Sequence, residues 1–443
     1  MPGRLVDHLG IAGYAPPIAS SFPSFFLVRQ AVRGPKVDDV AARVTETLSS
    51  LDLGQKVRPG DRVAVTAGSR GIANVATAIA ATVAHLRALG AEPLVVPAMG
   101  SHGGGTAEGQ VELLASYGIT EATCGCPIVA SMDTVSLGES KLGFPMLFDR
   151  VASEADHVVV VNRVKTHTMF TGPVESGLAK MAMIGLGKQA GAAIYHQAIV
   201  EHGWTTVIDD VVPVVLEKGK ILAGVALVER GDEETARVEA LPAEAILTDE
   251  PALLADSRRW MATLPFTDID LLLVDEIGKN ISGAGLDPTV VGRKDSLHMA
   301  DPGRDLRVRF IGARNLSEDT HGNAIGVGIA EFCRSRLLRS MDVEATRLNA
   351  FTAGDIAPAM ASLDFETDVE IVDTALSMIG LRAPHEARAV WMRNTLAVDV
   401  VACSDALRDE ADLRDDIEVL TSPAPLPFDA EGNLPDFLPR SGW

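Results

Sequence analysis

"DHVVVVNRV", residues 156–164, decides the fold. A strand with one wet face alternates apolar and polar residues, whereas four consecutive valines give both faces to apolar neighbours. Such a strand belongs inside a parallel sheet that is covered by helices on each side. The flanking sequence supplies the rest of that sheet. "RVAVTAG" (62–68) and "PLVVPA" (93–98) are short apolar strands. Between them Asn74 precedes "VATAIAATVAHLRALG", a helix with a polar cap at one end and glycine at the other. Thr106 is placed to cap "AEGQVELLASYG", and "TTVIDDVVPVVLEKG" followed by "ILAGVALVER" continues the helix–strand rhythm.

Residues 229–266 change character, reading as an acidic, helical connecting segment. A second α/β rhythm begins at "DIDLLLVDEI" (268–277) and continues through "LRVRFIGA" (306–313), a helix over "GVGIAEFCRSRLLRSM" (326–341) and the late pair "ARAVWMR" and "LAVDVVA". The expected division is an N-terminal α/β domain over 1–264, a smaller C-terminal α/β domain over 265–415, and a tail over 416–443. The tail is proline-rich and is expected to pack back on the N-terminal domain.

With 443 residues, 47% hydrophobic and 22% charged, the chain can bury full cores. Its formal charge of −21 argues against a basic nucleic-acid surface, because phosphate contacts need clustered Lys and Arg. No leader-like start and no run of about 18 apolar residues is present, so neither a signal peptide nor a membrane span is expected. The four cysteines, Cys124, Cys126, Cys333 and Cys403, are too sparse for a disulfide framework and suit a reducing cytoplasm. Cys124-Gly-Cys126 alone is an incomplete metal site; buried thiols near a turn are the favoured reading.

Ligands in parallel sheets bind beyond the carboxyl ends of strands. Three loops qualify here: "AGSRGIAN" (67–74), "MGSHGGGT" (99–106) and "NRVKTHTMFTG" (162–172). They bring Arg70, His102, Lys165 and His167, and two of them carry glycines ahead of a helix start, where backbone N–H groups suit an anion. Two histidines offer two bases near neutral pH. Farther on, "VESGLAKMAMIGLGKQAGAAIYH" (174–196) holds Lys180 and His196 amid small apolar residues. In one unbroken helix they would lie about 24 Å apart. A break at Gly185-Leu186-Gly187 would let them approach; otherwise Lys180 snorkels and His196 ends a helix. "GLGKQAG" is no Walker loop, since Ala182 replaces the first glycine and Gln189 follows the lysine, and "KMAMI" is a poor strand for a dinucleotide fold.

Taken in order, "AGSRG", "GSHGGGT", "NRVKTHT", "SGLAK" and a histidine sixteen residues after that lysine resemble the lactate racemase family, whose members use a nickel-pincer nucleotide. The resemblance spans residues 62–200 and implies two α/β domains. The N-terminal one would carry a mostly parallel Rossmann-like sheet and bind the cofactor, with the active site in the cleft between the two. It implies that His102 and His167 are paired acid/base histidines. Lys180 would be the lysine able to bond to the thioamide arm of the cofactor, a pyridinium-3-thioamide-5-thiocarboxylic acid mononucleotide. His196 would complete the nickel square beside the pincer's donors, with Ser69, Arg70 and Gly177 among the cofactor contacts and Arg70 beside the substrate. Two departures stand out: Ala67 replaces the usual aspartate near the ribose, and the stretch between His167 and Lys180 is about three residues longer than the usual pattern. Both mark a divergent homologue.

The implied reaction is racemisation or epimerisation of a 2-hydroxy acid. A hydrogen beside a hydroxyl is a very poor acid; it leaves more easily as hydride while a base takes the hydroxyl proton, and its return to either face of the planar keto acid inverts the centre. In the second domain Lys279 of "DEIGKNISGAGLDPTVVGR" (275–293) is a candidate carboxylate contact, and His321 of "SEDTHGN" sits in a loop with similar potential. The implied partners are a small 2-hydroxy acid and the cofactor-synthesis enzymes, with no nucleic acid and no membrane. The competing readings are an NAD(P)-dependent oxidoreductase using "GLGKQAG" and a non-catalytic nickel- or nucleotide-binding protein.

Overall fold

The computed structural model describes residues 22–69, 71–294 and 305–442, and these divide into two α/β units, one within Val32–Met261 and the other formed by 22–31, 262–294 and 305–442. In the first unit, five strands run in the order Glu92–Pro97, Arg62–Ala67, His157–Arg163, Ile221–Glu229, Thr235–Pro242. The first four are parallel and the last pairs antiparallel. The valine strand is central, and its side chains alternate between two cores. Val158 and Val160 enter one with Ala64, Val96, Leu178 and Met183, while Val159 and Val161 enter the other with Val63, Val65, Ile79 and Val225. This is the physical content of an unbroken apolar run: each neighbour serves a different helical layer.

Helices Val75–Ala88 and Ala107–Ser116 follow strands Arg62–Ala67 and Glu92–Pro97. Thr106 caps the latter, its hydroxyl accepting from the Gly109 N–H at 3.1 Å. Asn74 does not cap the former; it sits at φ +60 and its amide donates to the Thr235 hydroxyl at 3.0 Å. The acidic segment read as helical is mixed. Thr235–Pro242 is a strand, its side chains largely buried, and only Ile246–Trp260 is a helix.

The second unit holds an eight-stranded sheet in the order Leu363–Phe365, Phe332–Arg334, Arg307–Leu316, Asp268–Ile277, Ala389–Met392, Val400–Ser404, Phe25–Gln30, Ile417–Val419. Its first five strands are parallel and the rest antiparallel. The helix expected over 326–341 is confined to Ser335–Arg339, because Phe332–Arg334 is drawn into the sheet beside Arg307–Leu316.

Residues 22–30 and the tail depart from the expected division: both build this second unit. Phe25 and Ala424 exchange backbone hydrogen bonds at 2.7 and 2.8 Å. Residues 25–30 are held by strand pairing with Val400–Ser404 and Ile417–Val419, and the tail by a buried cation. Arg314, fully buried, pairs with Asp275 and, at 2.8 Å, with Asp368, and donates to the Leu434 carbonyl at 3.0 Å. The two carboxylates in turn accept from the Leu438 and Leu434 N–H groups at 2.6 and 2.9 Å. A buried charge needs a complete set of partners, and the tail's main chain completes this one. Arg314→Ala would leave Asp275 buried without its cation and Asp368 with Arg334 alone, a loss of about 3–5 kcal/mol. Expected are a lower denaturant midpoint and protease cleavage within the tail; an unchanged midpoint would contradict this assignment.

Candidate active site

The three loops meet at one edge of the first unit's sheet because their strands lie side by side and parallel. The loop after Arg62–Ala67 is central, flanked by the one after Glu92–Pro97, which bears His102, and the one after His157–Arg163, which bears His167. His102 Nδ1 is hydrogen-bonded to the Ser69 hydroxyl, so the first two loops touch through a predicted pair of residues. Tyr117 donates to the Ser69 carbonyl at 3.1 Å. Gly103, at φ +66, packs so tightly on the following helix that a Cβ would lie 2.7 Å from the Gly109 and Gln110 backbone. Any side chain there would push His102 away from Ser69.

His167 is held from both ends. Its N–H donates to Glu175 at 2.7 Å, and Glu175 is buried and paired with Arg258 at 2.6 Å. Its Nδ1 accepts from the Met169 and Phe170 N–H groups at 3.0 and 3.1 Å. In the neutral ring the proton is therefore on Nε2, which makes this histidine a donor toward a ligand. The ring stacks on Phe170 at 4.3 Å, Phe170 stacks on Trp204 at 4.6 Å, and His196 lies 6.3 Å from the Phe170 ring centroid. One aromatic side chain thus lies near both histidines.

The path from Lys180 to His196 is broken. Helix Leu178–Lys180 passes into a π-helical turn, Met181–Gly185, and a new helix, Lys188–His202, begins with Lys188 at φ +56. The break lies at the expected glycines. The Gly100 N–H donates to the Gly185 carbonyl at 3.2 Å, which ties the His102 loop to the same turn. Burial first, and then the Lys180 ammonium, hold the His196 pKa below the usual histidine value, against a hydrogen bond to the Ala192 backbone that raises it. His196 is thus held as a neutral ring, with one nitrogen engaged by the Ala192 backbone.

The remaining predicted residues fare differently. Arg70 lies outside the described residues. Gly177 has a local explanation, since a Cβ there would run into the Glu250 carboxylate. Lys279 belongs to the second unit, where its Nζ donates to Asn349 and its N–H donates to Thr320 at 3.0 Å. His321 sits at φ +50 after a short 3₁₀ turn. Cys124 and Cys126 are buried, and desolvation raises both thiol pKa values, that of Cys126 to about 11, so both remain protonated. Among the described residues no three His, Cys, Asp or Glu side chains form a metal cluster, and no helix is long and apolar enough to cross a membrane.

Sequence reading missed Glu250, Gln110, Lys188, Phe170 and Trp204. Glu250 is fully buried and accepts from the Ala179 N–H at 3.0 Å, anchoring the turn that carries Lys180. Burial pushes its pKa from 4.5 up to about 7, against the lowering effect of the Ala179 and Leu178 N–H groups. The folded chain then holds a proton that the unfolded chain has released, so stability should fall as pH rises from about 4.5 to 7 and level off above. Glu250→Gln should remove this slope in thermal melts compared with wild type; identical pH profiles would contradict it. Asp275, pushed to about 6 by burial, contributes the same sign in both proteins and cancels in the comparison.

Residues 28–206 match the profile of the lactate racemase N-terminal domain. Among solved structures, the lactate racemase apoprotein from Thermoanaerobacterium thermosaccharolyticum is similar with a TM-score of 0.51 and 12% identity, over 84% of this chain and 94% of that one. A Thermotoga maritima protein reaches a TM-score of 0.47 at 16% identity, over 64% of this chain and 72% of that one. No curated protein sequence matches. At 12% identity the structural likeness speaks for the fold alone. Over residues 28–206 the chain is similar to the lactate racemase N-terminal domain.

Proposed function

We propose that the protein is a racemase or epimerase of a 2-hydroxy acid that works through a nickel-pincer nucleotide. The observation carrying this reading is the placement of two imidazoles, His102 and His167, on loops that flank a third loop at one sheet edge, with Lys180 acting on a neutral His196 alongside. The residues fit the cofactor. A neutral imidazole is a competent ligand for nickel, and one imidazole suffices where the organic part brings the other donors. Lys180 would hold the thioamide arm, and Ser69 and Gly177 lie on the segments that would line it. When bound, the group supplies a hydride acceptor that later becomes the donor.

The chain's own residues would manage the protons. His102, its Nδ1 engaged by Ser69, would take the hydroxyl proton at Nε2 as the carbon–hydrogen bond opens. His167, whose Nδ1 accepts from the Met169 and Phe170 N–H groups, would hold the carbonyl oxygen of the turned keto acid with its Nε2–H. To act as the second acid, Nδ1 would exchange those bonds for a proton, giving an imidazolium that donates at Nε2. In the reverse direction the ring with its proton on Nδ1 would take the hydroxyl proton at Nε2 and His102 would return one. The Phe170–Trp204 stack would exclude water beside His167. Arg70 and Lys279 are the proposed carboxylate contacts. Cofactor-synthesis enzymes are the required partners.

The dinucleotide reading of "GLGKQAG" loses its basis. Its glycines end a π-helical turn where a strand is required, and Lys188 is fully buried on protein acceptors. The test is interconversion of 2-hydroxy acid enantiomers in D₂O by protein co-expressed with the cofactor-synthesis enzymes. Hydride return predicts product that retains its original hydrogen at C2. His102→Ala and His167→Ala should each lower the rate at least about 100-fold while nickel is retained. Deuterium at C2, or full turnover in either variant, would overturn the mechanism.

A further inference from the structure

Lys188 is a buried cation that the reading above leaves unused. Lys188, eight residues before His196, is fully buried and holds a left-handed backbone at φ +56. Such a conformation costs a non-glycine residue about 1–3 kcal/mol, and desolvating an ammonium costs several more. Its partners show what this cost maintains. Nζ donates to the Pro97 carbonyl at 2.8 Å, to Gln110 Oε1 at 2.9 Å, and pairs with the buried Asp149 at 3.2 Å. Pro97 ends the strand that leads into the His102 loop, and Gln110 lies in the helix that follows it.

Gln110, also fully buried, then spends its amide on that loop: Nε2 donates to the Gly100 carbonyl at 3.0 Å and to the His102 carbonyl at 3.3 Å. We infer that Lys188 and Gln110 are positioning residues that set where His102 stands relative to the helix bearing His196. Lys188 orients the amide by binding its oxygen, so the nitrogen must face the loop carbonyls. The loop's glycines, Gly103, Gly104 and Gly105, all have positive φ and give it little stiffness of its own. Geometry is thus imposed from the buried side. A methionine at 188 would fill the space and lose the orientation.

The inference builds on the role proposed for His102, but its test needs no turnover and no cofactor, so the two can fail separately. Full-length protein carrying [13Cε1]histidine is compared with Gln110→Leu, Lys188→Met and Gln110→Glu by NMR and by amide hydrogen exchange. Gln110→Leu and Lys188→Met should shift or broaden the His102 resonance, leave those of His85 and His157 in place, and speed exchange across residues 100–106 at least tenfold. Gln110→Glu discriminates: its carboxylate keeps the Lys188 contact but has no N–H for the loop. It should melt below wild type, because a second buried carboxylate joins Asp149 beside one ammonium and an oxygen faces two loop carbonyls, and its fast exchange should be concentrated at 100–106. Wild-type exchange and an unmoved His102 resonance in Gln110→Glu would overturn the inference, as would acceleration spread evenly over the unit in all three variants.

Discussion

Everything proposed for this site depends on one interruption in a helical path. Sixteen residues of continuous helix would carry His196 about 24 Å from Lys180. The chain interrupts this path with a π-helical turn over Met181–Gly185 and a left-handed residue at Lys188, where a second helix, Lys188–His202, begins. Neither device is favourable by itself. A π turn is a rare geometry and the positive φ is strained, so the surroundings must hold both. Glu250 secures the start of the turn, the Gly100 N–H secures its end, and the Lys188 cluster secures the restart.

Strong local order elsewhere makes this affordable. The valine strand feeds two cores at once and fixes the three neighbouring strand ends rigidly. Loops that bear the histidines can then be glycine-rich and weakly structured without losing their place. Aromatic stacking and backbone hydrogen bonds set His167, while polar side chains from buried positions set His102.

Sequence reading found what depends on local chemistry. The run at 158–161, Thr106 as a cap and the glycines at 185–187 each act within a few residues of themselves, so they were legible. The loops that bear Ser69 and His102 were also legible, because strand order brings successive strand ends together. What escaped depends on distant partners. Glu250 sits in an acidic stretch that looks solvated, and nothing local says that its carboxylate points inward. Lys188 sat in full view within "GLGKQAG", yet only Asp149 and Gln110, far away in sequence, explain its burial. The strand at 332–334 was hidden in a helical pattern because sheet pairing overrode propensity. The tail's place was set by Arg314, a residue whose burial no periodicity announces.

The claim that Lys180 and His196 grip a single group is most directly tested by nickel content and intact mass, measured together. The protein should be co-expressed with the cofactor-synthesis enzymes and compared with Lys180→Ala and His196→Ala. The account predicts one nickel per chain in the wild type, a covalent adduct that disappears in Lys180→Ala, and loss of nickel in His196→Ala. Full nickel occupancy in His196→Ala, or an adduct that survives in Lys180→Ala, would contradict it.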